Sequence, residues 1–133
     1  MIHSLTISNK TVYIDDIPIK DFLHLWYKST IEKDLEVYTI QNIVFCEITG
    51  NLNIYKNKNE YKLQFISFNA VNIYNIQNIP SDFKYKLNKL KYILASKYRV
   101  IDDNYYYNKH FEFRLIYTIN NVSVLITQRH IKE

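Results

Sequence analysis

Between residues 35 and 76, apolar and polar residues alternate in short runs, over 35–40, 43–48, 52–55, 61–68 and 71–76, with only a few polar residues between them. A period of two puts one face of an extended segment in a core and the other in water. Gaps this short join antiparallel neighbours, whereas a parallel pair needs a crossover of a dozen or more residues. A doubly wound α/β fold is therefore excluded. The class expected is α+β, built on an antiparallel sheet or sandwich.

The flanking segments follow the same logic. Residues 2–7 and 11–14 predict a first hairpin around Ser8-Asn9-Lys10. Residues 111–117 and 122–126 predict a last one turning at Asn120-Asn121, since Asn accepts a left-handed backbone. Thr49-Gly50-Asn51 contains the only glycine and reads as a further hairpin turn. Two segments break the alternation. Behind Asp15-Asp16 and Pro18, which suit a helix start, Ile19, Phe22, Leu23 and Trp26 fall at helical spacing and predict a helix over about 18–33. Phe83, Leu87, Leu90 and Leu94 predict a second over about 81–98, capped by Ser81 or Asp82. Residues 99–109 read as a polar loop. The expectation is one domain, residues 1–133, with seven to nine strands and two helices.

Composition narrows the function classes. With 47% apolar and 23% charged residues, disorder is excluded. The abundance of Ile, Asn, Lys and Tyr, all with AT-rich codons, fits an AT-rich genome. One cysteine, Cys46, can form neither an internal disulfide nor a structural zinc site, and inside the apolar run 43–46 it reads as packing. The first residues lack the basic start and apolar run of a signal peptide, and no run is long enough to span a bilayer. A cytoplasmic protein with no membrane contact is expected. The net charge of +4 is uneven: residues 1–55 carry −3 and residues 56–99 carry +7.

Few residues point to chemistry. His110, Glu112 and Arg114 would share one face of a strand, a workable acid–base set, but a strand packed on one side has a polar outer face by default. The four histidines show no metal-ligand spacing, and a single glycine leaves no phosphate-cradling loop. No catalytic residue, metal or cofactor is expected. Two surfaces stand out instead. Tyr105-Tyr106-Tyr107, with Asp102 and Asp103 beside them, offer aromatic anchors with polar partners for a protein interface. Lys84, Lys89 and Lys91 on the second helix offer a basic surface for nucleic acid, with few arginines in the chain to support it.

The segment Ile19-Lys20-Asp21-Phe22-Leu23-His24-Leu25-Trp26 resembles an early motif, Ile-x-Asp-aromatic-x-x-x-Trp, of one group of bacterial contact-dependent growth-inhibition immunity proteins. Where that group carries an aromatic just before the motif, this chain has Ile17-Pro18. The resemblance implies a small β-rich protein that binds a cognate toxin domain and blocks it. On this reading the protein is a non-enzymatic inhibitor that occludes a toxin's active site. The alternatives are a nucleic-acid-binding module using the lysine-rich helix, or a viral or phage inhibitor of a host protein.

Overall fold

The computed structural model describes residues 2–8, 10–26, 30–32, 35–58, 60–68, 79–118 and 120–129. In chain order the elements are β1 (His3–Ser8), β2 (Thr11–Ile14), β3 (Ile17–Pro18), α1 (Ile19–Leu23), β4 (Thr30–Glu32), β5 (Leu35–Phe45), β6 (Ile48–Asn57), β7 (Glu60–Phe68), α2 (Ile79–Lys97), β8 (Arg99–Asp102), β9 (Tyr105–Tyr107), β10 (Phe111–Thr118) and β11 (Asn121–Gln128). Ten strands form one path, β3-β2-β1-β5-β6-β7-β11-β10-β9-β8, and β4 pairs with β5 off that path. The α+β class with two helices holds, but the strands outnumber the seven to nine expected, with ten on the main path alone. The sheet is mixed rather than purely antiparallel, because β1 runs parallel to β5 through His3↔Ile43 and Ser4↔Val44.

Alternation builds the inner face. Leu52 and Ile54 of β6, Leu63 and Phe65 of β7, Val124 and Ile126 of β11, and Phe113 and Leu115 of β10 are all buried. They meet across the strands as Leu52↔Phe65, Val124↔Phe65, Ile126↔Leu63 and Phe113↔Ile126. Each such pair withdraws apolar area from water at about 25 cal/mol per Å2. Two elements cover this face. The buried stripe Leu87, Leu90 and Leu94 of α2 lies on it, with Phe83 tilted against Tyr117 and Tyr98 stacked on Phe113. Val12 and Ile19 of the first hairpin and α1 share a small cavity with Leu63, Phe111 and Ile126, so this unit closes the other part.

Several sequence expectations need correction. The second helix begins at Ile79, so Ser81 and Asp82, expected to cap it, lie inside it. The first helix is only one turn and a half. Leu25 and Trp26 donate their N–H groups to Phe22 and Leu23, three residues back, which tightens and ends the helix. Trp26 then stacks on Phe22, meets His3 edge-on and donates from Nε1 to the Thr39 carbonyl at 3.1 Å. The stripe of four apolar residues is real, but its last member arrives through a turn.

Asp15-Asp16 is not a helix start. Both residues have positive φ, 53° and 64°, and close the two-residue β2–β3 hairpin. Likewise the β5–β6 turn falls on Cys46-Glu47, φ 52° and 64°, not on Gly50. A turn centred on Gly50 would set Ile48 against Leu52 but Phe45 against Tyr55. The observed register pairs Phe45↔Ile48 and Ile40↔Leu52, apolar with apolar. Gly50 has an ordinary negative φ inside β6. Its small size is needed for contact, since a Cβ there would lie 2.5 Å from the Ile66 carbonyl oxygen and 2.9 Å from the Phe65 ring.

The runs 35–40 and 43–48 are not two strands. A bulge after Ile40, with Asn42 at φ 58°, resets the alternation so that Ile40 and Ile43 both face inward on β5. Finally, residues 99–109 are not a loop, because β8 and β9 form a hairpin that extends the sheet beyond β10. The strand expected over 71–76 lies outside the described residues.

Candidate binding surface

The tyrosine triplet occupies β9, where alternation sends its rings to opposite faces. Tyr106 is 2% exposed and its hydroxyl donates to the Asp103 carbonyl at 2.7 Å. It is a core residue and leaves the set of candidate anchors. Burial, then the nearby Asp103 and Asp102 carboxylates, push that hydroxyl's pKa up. Tyr105 and Tyr107 are half-buried on the outer face, and each carries a guanidinium. Arg114 stacks 4.5 Å from the Tyr105 ring centroid and Arg129 stacks 4.7 Å from that of Tyr107. Asp102 and Asp103 are exposed at the β8–β9 turn, and Asp102 accepts the Asn104 N–H at 2.7 Å. The turn thereby uses Asp102 locally.

Register extends this outer face across four strands. Tyr105 faces Arg114, which faces Leu125, which faces Gln64. One row further, Ile116 faces Ser123, which faces Ile66. Ile116 and Phe68 are 54% and 59% exposed. The result is an outer face that mixes arginine, tyrosine and uncovered aliphatic and aromatic carbon.

The basic surface expected on the second helix is divided. Lys89 points toward the β5–β6 turn, 3.8 Å from Glu47, and donates to the Tyr85 hydroxyl at 3.1 Å. Lys91 lies over the Tyr117 ring on the opposite flank, and Lys84 is exposed. The three lysines do not form one surface. The fold gathers cations elsewhere. A cleft of about 650 Å3 between the end of α2, the start of β8 and the β9–β10 connection is lined by Lys97, Arg99, Lys109 and Arg129 with Tyr107 and Asn108. Arg129 is fixed there by donating from its guanidinium to the Asn108 carbonyl at 2.8 Å and by Glu112 at 3.8 Å. Sequence reasoning missed this cleft because its cations come from separate segments.

The set His110, Glu112 and Arg114 is dispersed. Glu112 is paired with Arg129, Arg114 lies on Tyr105, and His110 precedes β10 with its N–H on the Asn108 side chain. None of the three lines the cationic cleft. Cys46 behaves as packing, its thiol pushed up to about 11 chiefly by burial. Tyr38 is also pushed up, to about 12, by burial and by its 2.8 Å bond to Glu36, so it holds its proton at neutral pH. Among the described residues no group of three or more His, Cys, Asp or Glu is placed to hold a metal ion. No helix among them is long and apolar enough to cross a membrane. Comparison of the chain with protein-family models, with curated proteins and with solved structures gives no match.

Proposed function

We propose that this protein acts by binding another protein and blocking it, most concretely as an immunity protein that covers the active site of a bacterial toxin domain. The observation that carries the reading is the outer sheet face, where Arg114 and Arg129 cap Tyr105 and Tyr107 beside exposed Ile116 and Phe68. Tyr and Arg dominate the energetic centres of protein interfaces. Here the guanidinium–ring stacks hold both side chains in place before a partner arrives, which lowers the ordering cost of binding. A rigid sheet face of this kind blocks a site by occlusion and needs no chemistry of its own. The toxin as partner is supported by the motif at Ile19–Trp26.

The test is co-expression with the C-terminal domain encoded by the reading frame immediately upstream. A stable complex that restores growth supports the reading, and Tyr105→Ala with Arg114→Ala then weakens the complex by about 10–100-fold. A toxic neighbour that forms no complex, or a complex indifferent to that double change, refutes it.

A further inference from the structure

The cationic cleft adjoins the outer face, sharing Arg129 and Tyr107 with it, but has its own chemistry and does not rest on the protein-binding reading. Lys97, Arg99, Lys109 and Arg129 line it, and no acidic side chain does. Among the described residues Lys97, Arg99 and Lys109 have no ion pair, and only Arg129 has a carboxylate beside it, Glu112. Lys97 is accounted for in part by the helix, because a cation in the last turn of α2 offsets the partial negative charge of its carbonyl end. That end carries about half a charge, and it does not explain three further cations. Four like charges around one cleft repel one another, and an anion between them relieves that repulsion.

The geometry favours a ligand recognised through charge. Asn108 holds the Arg129 guanidinium from one side and Tyr107 from another, so one fork is already oriented. One face of Tyr107 is occupied by that guanidinium and one face of Tyr98 by Phe113, so both rings are already engaged. A volume of about 650 Å3 exceeds the need of a single carboxylate and suits a chain of phosphoryl groups. Arginine forks match phosphate oxygens in pairs, and lysines add point charge. We infer that this cleft binds a phosphate-ester or phosphoanhydride polyanion without base specificity. The sources of that chemistry are a free polyphosphate and the backbone of a single-stranded nucleic acid.

The experiment is fluorescence anisotropy with a short fluorescein-labelled oligothymidylate, competed by tripolyphosphate. Saturable binding is expected, weakening by roughly 20–50-fold between about 50 and 200 mM salt as three to four bound counterions are released. Arg99→Glu with Lys109→Glu abolishes it, both side chains being exposed, whereas Lys20→Glu with Lys58→Glu makes the same change in net charge and retains it. Circular dichroism confirms that both variants are folded. Affinity that rises with oligonucleotide length supports the inference with a nucleic-acid backbone as source. Stronger competition by tripolyphosphate than by unlabelled oligothymidylate supports it with a free polyphosphate as source. Absence of binding, equal loss in both double variants, or competition by poly-glutamate as effective as that by tripolyphosphate overturns it. The last outcome would assign the cleft to an acidic peptide.

Discussion

The β2–β3 and β5–β6 turns share one backbone and are held in different ways. Each places two non-glycine residues at positive φ, Asp15-Asp16 in one and Cys46-Glu47 in the other. A left-handed residue with a Cβ costs roughly 1–2 kcal/mol. At the first turn the side chain returns some of that cost. Asp15 Oδ2 lies 2.6 Å from His3 Nδ1, and its Oδ1 accepts the Ser4 N–H at 2.9 Å. At the second turn Glu47 has only a distant, exposed contact with Lys89, worth little. There the strands impose the turn, through Phe45↔Ile48 and through Gly50, whose missing side chain admits the Phe65 ring. One turn is stabilised from within and the other by the sheet that it joins.

The comparison can be broken in order of expected effect. Gly50→Ala forces a methyl against the Ile66 carbonyl and Phe65, and should lower stability by about 2–3 kcal/mol in urea unfolding. An unchanged midpoint would mean that the sheet does not dictate the second turn. Asp15→Ala removes two hydrogen bonds and should cost about 1–2 kcal/mol near neutral pH.

That second loss should depend on pH. Partial burial pushes the Asp15 carboxyl up, but the His3 and Ser4 hydrogen bonds and the His3 charge outweigh it and hold its pKa below 3.8. A depressed folded pKa gives stability that is complete above the unfolded value and is lost as pH falls through the folded one. The gap between the natural chain and the variant should therefore shrink as pH falls below about 5. A constant gap throughout would show that Asp15 acts without its charge. The smallest effect has the opposite sign. Glu47→Gly relieves a left-handed residue and should raise stability by about 0.5–1 kcal/mol, while Asp16→Gly gains no more than that.

What could be read in advance followed from local periodicity. The strands of the β1–β2 and β10–β11 hairpins and α2 carry their own signal, period two or a stripe at Leu87, Leu90 and Leu94, and appear where that signal puts them, although Asn121, expected in the last turn, pairs with Thr118 inside β11 and has no positive φ. The turns were not legible, because the chain places Asp-Asp and Cys-Glu where glycine or asparagine would announce a hairpin, and places its one glycine in a strand. The β8–β9 hairpin hid for a related reason. Arg99, Val100, Ile101 and Asp102 are all exposed, so no buried face gave them an alternating pattern. For the candidate surface, the opposition of Tyr106 to Tyr105 and Tyr107 followed from strand geometry, but which side faced the core did not. The capping arginines come from β10 and from the residue after β11, a juxtaposition made only by pairing between strands.

The position of β11 has a consequence for how the protein is made. It is the last described strand in the chain, yet it sits inside the sheet between β7 and β10. Until it emerges from the ribosome, the nascent chain holds two unjoined pieces, β1 to β7 on one side and α2 with β8 to β10 on the other. Leu63 and Phe65 line the open border of the first, and Phe113 and Leu115 that of the second. At about 5–20 residues per second, β11 follows β7 by a few seconds. Through most of that interval only the β7 edge is exposed, and the β10 edge joins it just before β11 follows. The β10–β11 hairpin is thus the piece that joins the two halves of the sheet.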